Sequence, residues 1–490
     1  MPITSFWNVP PSPKVFELTL NQPHAHLIGI SGSGLRSLAD YLLDSGWTIS
    51  GSDQTISSTL QSHFQARGVS LFIGHLCENI PPETTVCIHS LAIPESNPER
   101  EAARLRNLPQ FSYVKFLGKL FNEQTGVAIA GTHGKTTTSL MLGHLLKEAD
   151  RSVGLISGGR VVGSEKWGYA GIESTIIAEA CEFRQSLLEL TPKYAAVLGI
   201  ETDHFDCYPD LNAVTDVFRK FCAQVSSEGC LVLNADCPAT RIAAEAATCS
   251  RQWFTLKEEL DIELREIDML WTISNIIRHK EGVDFFVTSQ TGISAMLQAP
   301  VYGIHQIQNA TAALLLALQL KVDWSEITTG LMSFPGVERR FQQRNHSSGA
   351  IFVDDYAHHP SEIRATLNAL RQKFGEKPRH VIFQPHQVQR TEALFEEFVT
   401  ALLPAEKVTL LPVFAARETA DDRVESVSRR LVEAGNRQGG QFEYCPSLDH
   451  LCSSLDDSWK NVPGSGGEVI ATLGAGNIDR IYDELPGFIC

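Results

Sequence analysis

The sequence predicts three α/β domains in series, and three observations lead there. The chain has 490 residues, about three times an ordinary ~150-residue domain. Three segments open with the same order: an apolar run, a glycine-bearing turn, then an amphipathic helical pattern. That order is the signature of parallel strands joined by crossover helices. The sequence carries no short-period repeat and no low-complexity stretch, so neither a solenoid nor a disordered chain is expected.

The first segment runs His26–Ile30, then Ser31-Gly32-Ser33-Gly34. Its helix carries Leu35, Leu38, Ala39, Leu42 and Leu43 on one face. A second strand, Trp47–Ser50, follows and ends at Gly51-Ser52-Asp53. Strand–helix–strand closing on an acid is a nucleotide- or dinucleotide-binding half, so this domain is expected to be Rossmann-like. The second segment opens with Val127–Ala130 and Gly131-Thr132-His133-Gly134-Lys135-Thr136, before a helix bearing Leu140, Leu142, Leu145, Leu146 and Ala149. The third begins at Ile351–Val353, with a helix from about Ser361 carrying Ile363, Leu367, Leu370 and Phe374. It continues with the strand His380–Phe383 and closes near Val469–Leu473 with Gly474-Ala475-Gly476-Asn477. Boundaries are expected near Phe121–Gly126 and near Arg344–Gly349, where NHSSG reads as a linker. The domains are therefore placed at 1–122, 123–343 and 344–490: Rossmann-like, P-loop ATPase-like and Rossmann-like.

Composition narrows the function. With 43% hydrophobic and 20% charged residues, the chain has enough apolar mass for several cores. Fifty-seven acids against 41 Lys and Arg leave a net charge of −16, which repels a polyanion on average, so no nucleic-acid partner is expected. The 11 cysteines are scattered without a C-x-x-C pair, which speaks against a zinc knuckle and for a reducing compartment. The stretch MPITSFWNVPPSPKVFELTL has neither the basic nor the apolar region of a signal peptide, and the longest apolar run, around Ala310–Leu320, is too short to span a bilayer. The expectation is a cytoplasmic protein with no membrane partner, monomeric or homodimeric.

The sharpest motif is Gly131-Thr132-His133-Gly134-Lys135-Thr136-Thr137-Thr138. Its glycines let backbone N–H groups turn inward around phosphate oxygens, and the following helix adds its N-terminal partial charge. Lys135 supplies a point charge for the β/γ-phosphates, and the Thr136 hydroxyl is placed to ligate Mg²⁺. The generic pattern wants a glycine where Ile129 stands, so this is a shorter variant of the loop. Two apolar strands then end in chemistry: Ile176-Ile177-Ala178-Glu179-Ala180-Cys181-Glu182, and Val197-Leu198-Gly199-Ile200-Glu201-Thr202-Asp203-His204. A carboxylate at the end of a strand beside a phosphate loop is a natural Mg²⁺ ligand.

The string G-T-H-G-K-T-T-T after a strand resembles the ATP loop of the Mur ligases, three-domain enzymes that form amide bonds in the peptide stem of peptidoglycan. The resemblance extends over nearly the whole chain. It implies that Glu179 and His204 bind the magnesium ion between ATP and the acyl phosphate; the usual E-A-D-E reads E-A-C-E here. Gly303-Ile304-His305-Gln306-Ile307-Gln308-Asn309 resembles G-x-H-N-x-x-N, which places His305 and Asn309 near the adenine and phosphates, with Gln306 replacing an Asn. Phe334–Phe341 resembles the G-x-x-R-R-F hinge, so one of Arg339 and Arg340 is expected to clamp the γ-phosphate or acyl phosphate. The string Asp354-Asp355-Tyr356-Ala357-His358-His359-Pro360 belongs to the branch acting on UDP-N-acetylmuramate itself. It implies that Asp355 faces the ATP ribose or phosphates, with His358 nearby. Phe383-Gln384-Pro385-His386-Gln387-Val388-Gln389-Arg390-Thr391 matches F-Q-P-H-x-x-x-R-T, in which His386 and Arg390 hold the incoming amino acid. Gln387 stands where some relatives have Arg.

In the first domain, His26–Gly34 resembles H-x-x-G-I-G-G-x-G-M-S, the loop that receives the UDP end of the substrate. This implies contacts from Gly32 and Gly34, with Asp53 and Ser90 beside them. Ser31, Leu35 and Arg36 depart from that pattern; Ser31 narrows the room for diphosphate, and Arg36 adds a cation where a phosphate contact falls. Ser90-Leu91-Ala92-Ile93 and Asn97-Pro98-Glu99 resemble S-S-A-I and N-P-E. Taken together, the resemblance implies ATP-dependent ligation of L-alanine to UDP-N-acetylmuramate through an acyl phosphate. One domain would serve each of sugar nucleotide, ATP and amino acid. His204, His358 and solvent remain open as acceptors of the amine proton. The rival readings are a ligase that attaches a preformed tripeptide to the same sugar nucleotide, a nucleotide-sugar-binding homologue without catalysis, and an NAD-binding dehydrogenase.

Overall fold

The computed structural model describes residues 23–489, apart from 204, 206, 259, 261, 376, 378, 417, 419–421 and 462–467. Three sheets follow one another along the chain. The first contains β1 (His24–Ile28), β2 (Thr48–Asp53), β3 (Ser70–Ile73), β4 (Val86–His89) and β5 (Gln110–Ser112), all parallel, in the order β3-β2-β1-β4-β5. Strand order reverses at β1, so a crevice opens at its carboxyl end, where the Gly29–Gly34 turn leads into α1 (Ser33–Asp44). The strand expected at Trp47–Ser50 runs on to Asp53, because pairing with β1 and β3 continues through Gly51 and Ser52. Gly51 permits this: a Cβ there would lie 2.6 Å from Ile30 Cδ1.

The central sheet has ten strands: β6 (Thr125–Ala130), β7 (Gly154–Ile156), β8 (Gly168–Tyr169), β9 (Thr175–Ala180), β10 (Tyr194–Val197), β11 (Cys230–Asn234), β12 (Ser250–Thr255), β13 (Met269–Arg278), β14 (Val283–Ser289) and β15 (Ser294–Ala299). Their order is β15-β14-β13-β12-β11-β10-β6-β9-β7-β8. The inner strands are parallel and buried on both faces, which is why they read as continuous apolar runs rather than alternating ones. Helices α2 (Lys135–Glu148) and α3 (Ile304–Gln319) pack together on one face of this sheet, and the helix Leu211–Gln224 packs on the other. The apolar run around Ala310–Leu320 is the body of α3. Ala310 to Ala317 are all buried, so this helix is enclosed nearly all round rather than along one stripe. Among the described residues, no helix is long and apolar enough to cross a membrane.

The third sheet holds β16 (Gln342–His346), β17 (Ile351–Asp355), β18 (Arg379–Phe383), β19 (Lys407–Leu410), β20 (Phe442–Tyr444), β21 (Val469–Leu473) and β22 (Phe488–Ile489), in the order β20-β19-β18-β21-β17-β16-β22. β16 runs antiparallel to β17 and β22, and the rest are parallel. The stretch read as a linker, Arg344–Gly349, is instead the end of β16 and the turn into β17: His346 N donates to Ala350 O at 3.1 Å. Its polar residues pair across an edge hairpin, and alternation alone does not separate that from a loop. Two helices, α4 (Pro360–Phe374) and α5 (Val388–Ala393), follow the ends of β17 and β18; Asp355 closes β17, His358 and His386 lie in the loops before the helices, and Arg390 lies on α5.

Candidate active site

The phosphate loop leaves β6 between β10 and β9, where strand order reverses in the central sheet. Glu179 at the end of β9 and the segment after β10 therefore face it from either side. Gly131 (φ +138°) and Gly134 (φ +82°) take conformations that L side chains rarely adopt, and Gly134 caps α2. A Cβ on Gly134 would stand 2.4 Å from Asn309 Oδ1, so the Asn309 amide lies directly against the loop. Thr132 Oγ1 accepts from Glu201 N at 2.9 Å, and Thr137 is buried in the first turn of α2.

Lys135 curls back into its own loop. Its ammonium donates to Gly131 O at 2.5 Å, to Thr132 O at 3.1 Å and to Glu182 Oε2 at 2.8 Å. Burial works against its charge, but Glu182 and its neighbours outweigh that and hold the ammonium above its ordinary range. Thr136 Oγ1 donates to Glu179 Oε2 at 3.1 Å, while Glu179 Oε1 accepts from Ser157 Oγ at 2.6 Å and Gly158 N at 2.5 Å. A hydroxyl and a carboxylate side by side at a phosphate loop are the hard oxygen donors that Mg²⁺ prefers. Cys181, where the family's acid would stand, is a thiol that burial pushes up to about 11, so it adds no negative charge there. His204 lies outside the described residues.

The third domain closes over this loop. A cavity of about 220 Å³ lies between the two domains, lined among others by Leu198, Asn234, His305, Asn309, Arg340 and Asp355. Burial drives His305 down to about 4, so it is a neutral imidazole, and burial lifts the Asp355 carboxyl to about 6 against the pull of Arg340. Thr366 Oγ1 donates to Asp355 Oδ2 at 3.0 Å. The two hinge arginines separate. Arg340 lines the cavity and lies 3.7 Å from Glu362, whereas Arg339 donates to Gly474 O at 2.9 Å and pairs with Asp479 at 3.2 Å in the third domain. His133 joins the domains: Nδ1 is 3.0 Å from Glu362 Oε1, and Nε2 is 3.5 Å from Glu201 Oε2. Burial opposes its charge, yet the two carboxylates raise His133 to about 10.

Beyond the cavity, Arg390 on α5 donates through Nε to Asp203 Oδ1 at 2.9 Å, and its NH2 is 2.8 Å from the same oxygen. Its side chain is 3% exposed. A second face of the guanidinium is 3.1 Å from His386 Nδ1, and His386 stacks on Phe414 with centroids 5.8 Å apart. His358 lies 5.8 Å from His386, centroid to centroid. Its Nδ1 is 2.9 Å from Tyr356 O, an acceptor only, so Nδ1 carries the hydrogen and Nε2 is the acceptor nitrogen. Burial lowers His358 to about 4 and keeps it neutral.

In the first domain, Gly32, Gly34, Asp53 and Ser90 gather at the carboxyl ends of β1, β2 and β4. Ser31 N donates to Asp53 Oδ2 at 2.9 Å, Gly32 N donates to Gly29 O at 3.1 Å, and Ser90 N donates to Ile28 O at 3.0 Å. Tyr113 fills the space over Gly34, where a Cβ would lie 2.6 Å from the ring. Two residues in the site carried no sequence signal: Glu362 comes from a helix and Asn234 from a strand end in different parts of the chain, while Asp203 was visible after a strand but its pairing with Arg390 was not. Glu182 was visible as a strand-end acid, but its bond to Lys135 was not.

Comparison with known proteins agrees with this architecture. The chain matches the Mur ligase family, catalytic domain, over residues 24–125, the Mur ligase middle domain over 129–317, and the Mur ligase glutamate ligase domain over 339–476. It is 34% identical over 456 residues to the UDP-N-acetylmuramate–L-alanine ligase of Acidobacterium capsulatum, covering 93% of this chain and 95% of that protein. The enzyme of the same name from Clostridium acetobutylicum is 32% identical, covering 93% and 96%. Among solved structures, the UDP-N-acetylmuramate–alanine ligase of Thermotoga maritima superposes with a TM-score of 0.78 at 22% identity, covering 94% of this chain and 98% of that one. A murein peptide ligase from Psychrobacter arcticus gives 0.73 at 21% identity, covering 94% and 98%. Motifs, fold and near full-length similarity converge, and the chain belongs to the Mur ligase family.

Proposed function

We propose that this enzyme joins L-alanine to UDP-N-acetylmuramate, with conversion of ATP to ADP and phosphate. The observation that carries this reading is the division of the site between domains. The central domain supplies a phosphate loop with Lys135, Thr136 and Glu179, and the third domain covers it with Asp355 and brings Arg390 and His386 behind. The relatives that bear that activity as their name match over nearly all of their length.

The first step is in-line transfer of the γ-phosphoryl group to the muramyl carboxylate, giving an acyl phosphate and ADP. Lys135 and Arg340 neutralise the charge that develops on the transferring oxygens. Thr136 and Glu179 would hold Mg²⁺, with His204 added by the family pattern; bound there, the ion supplies further charge neutralisation. In the second step the alanine nitrogen attacks the acyl carbon, the C–O bond to phosphate breaks, and phosphate leaves with that oxygen. Arg390 orients the alanine carboxylate, and neutral His358 presents Nε2 as an acceptor for the amine proton. Asn309 and His305 shape the nucleotide cavity, and Asp355 accepts from a ribose hydroxyl. Closing the domains excludes water that would otherwise hydrolyse the acyl phosphate. The same reading places the enzyme in the cytoplasm, with its nucleotide substrates.

The test is phosphate release from ATP with UDP-N-acetylmuramate present and the acceptor varied. Release that requires L-alanine and yields the alanyl sugar nucleotide is the expected result. Release that requires L-alanyl-γ-D-glutamyl-diaminopimelate instead would transfer the assignment to the tripeptide ligase.

A further inference from the structure

Arg36 stands where the family's glycine loop ends in serine, in the first turn of α1. Among the described residues no carboxylate lies within ion-pair distance of its guanidinium, and its Nε is buried without a hydrogen-bond partner. Burial lowers its pKa first; Tyr356 and Glu338 act to hold its charge while Arg160 and Arg339 act against it, and Glu338 is itself paired with Arg160 at 2.8 Å. Tyr356 of the third domain faces it as well. A partly buried guanidinium among like charges, with its own partner missing, weakens the free protein. Such an arrangement is stable when an anion arrives from outside.

The location says which anion. Both Arg36 and Arg160 lie over the Trp167 ring, at 5.2 and 4.6 Å from its centroid. Trp167 is 6% exposed and locked by three contacts: its backbone N–H donates to Asp40 Oδ2 at 2.8 Å, His63 meets its ring edge-on at 4.8 Å, and its backbone carbonyl accepts from Ser37 Oγ at 3.1 Å. Ser37, next to Arg36, also accepts from Ser157 N at 3.0 Å. One residue further, Gly158 N donates to Glu179, the acid beside the phosphate loop. The helix that follows the sugar-nucleotide loop is therefore bolted to the strand end that leads into the acyl-transfer centre. The path between the two must be spanned by the substrate's diphosphate and its muramyl group, and Arg36 is on it.

We infer that Arg36 binds an oxyanion of the sugar nucleotide, either the diphosphate or the muramyl carboxylate, as a substrate contact at a position where the family pattern carries serine. The inference rests on the proposed ligase reading, because that reading supplies the sugar nucleotide. Arg36→Ser, which restores the family's residue, and Arg36→Lys, which keeps the charge, separate its role from packing on Trp167. Binding of UDP, UDP-N-acetylglucosamine, UDP-N-acetylmuramate and ATP to each variant is measured by calorimetry, with thermal melting alongside. The expected result is that R36S weakens UDP-N-acetylmuramate about ten-fold or more. ATP binding stays at the wild-type level, R36S melts no lower than wild type because the partnerless charge is gone, and R36K recovers part of the loss in affinity. If UDP and UDP-N-acetylglucosamine weaken in step, the anion is the diphosphate; if only UDP-N-acetylmuramate weakens, it is the carboxylate. Unchanged affinity for all three uridine ligands overturns the inference, as does a loss that R36K shares fully while ATP affinity and melting temperature fall together. A wild-type protein that binds no uridine ligand refutes the ligase reading instead, so the two failures are distinct.

Discussion

Replacing Lys135 with Ala does two things that the structure allows to be separated. It removes the cation proposed to meet the transferring phosphoryl group, and it removes the ammonium 2.8 Å from Glu182, a residue 1% exposed. Breaking a buried ion pair from one side costs about 3–5 kcal/mol, because the remaining charge stays in a poorly solvating site. For a domain of this size each kcal/mol moves the melting point by about 2–4 °C, so K135A should melt roughly 6–20 °C lower. Glu182→Gln removes the charge but keeps an amide, and the double variant K135A/E182Q should recover most of that loss. Activity should follow a different order. K135A and the double variant should both lose at least about 10²–10³-fold in kcat, the scale of a lost transition-state contact, while E182Q retains most of its rate. Alanine-dependent phosphate release and thermal melting of the four proteins give both readings. Phosphate release by the double variant at near wild-type rate, once its stability is recovered, would refute a role for Lys135 in phosphoryl transfer.

Three further outcomes follow from the same geometry. Gly134→Ala forces a side chain into a left-handed conformation and against Asn309 Oδ1, a combined cost of about 2–5 kcal/mol; calorimetry should find ATP binding weakened at least about thirty-fold, with UDP binding unchanged. His133 has its value raised to about 10 by two carboxylates, so its contribution to stability is full below about 6.5, shrinks as pH rises, and is gone once pH passes about 10. The melting gap between wild type and His133→Gln should close over that range, and a gap constant to pH 10.5 would contradict the pairing. Arg390→Lys keeps a charge but loses the planar fork that reaches Asp203 and His386 together. KM for alanine should rise about ten-fold or more while KM for ATP changes little, and an equal rise in both would point to a general loosening of the interface.

Much of this was legible in the sequence because it is local. A β-strand, a glycine turn and a helix lie next to one another along the chain, so the turns at Gly131–Thr137 and Gly32–Gly34 announce themselves. Strand-end acids such as Glu179 and Asp355 are legible for the same reason. What the sequence hides is contact between distant segments. The Lys135–Glu182 bond and the Arg390–Asp203 pair depend on which strand end faces which loop, and that is set by sheet order rather than by spacing. The division of labour in Arg339-Arg340 was hidden too, since adjacent residues with identical chemistry diverge only when the hinge backbone turns; Arg339 sits at φ +56°. The misreading of Arg344–Gly349 has a simpler cause, because an edge hairpin of polar residues has the composition of a loop.

The central claim is that the muramyl carboxylate is phosphorylated before alanine attacks it. The most direct test uses UDP-N-acetylmuramate labelled with ¹⁸O in its lactyl carboxylate, with mass spectrometry of the phosphate released in the presence of ATP and L-alanine. The mechanism derived from this site predicts one ¹⁸O in each phosphate, formed in step with alanyl product. Alanyl product accompanied by unlabelled phosphate would contradict it.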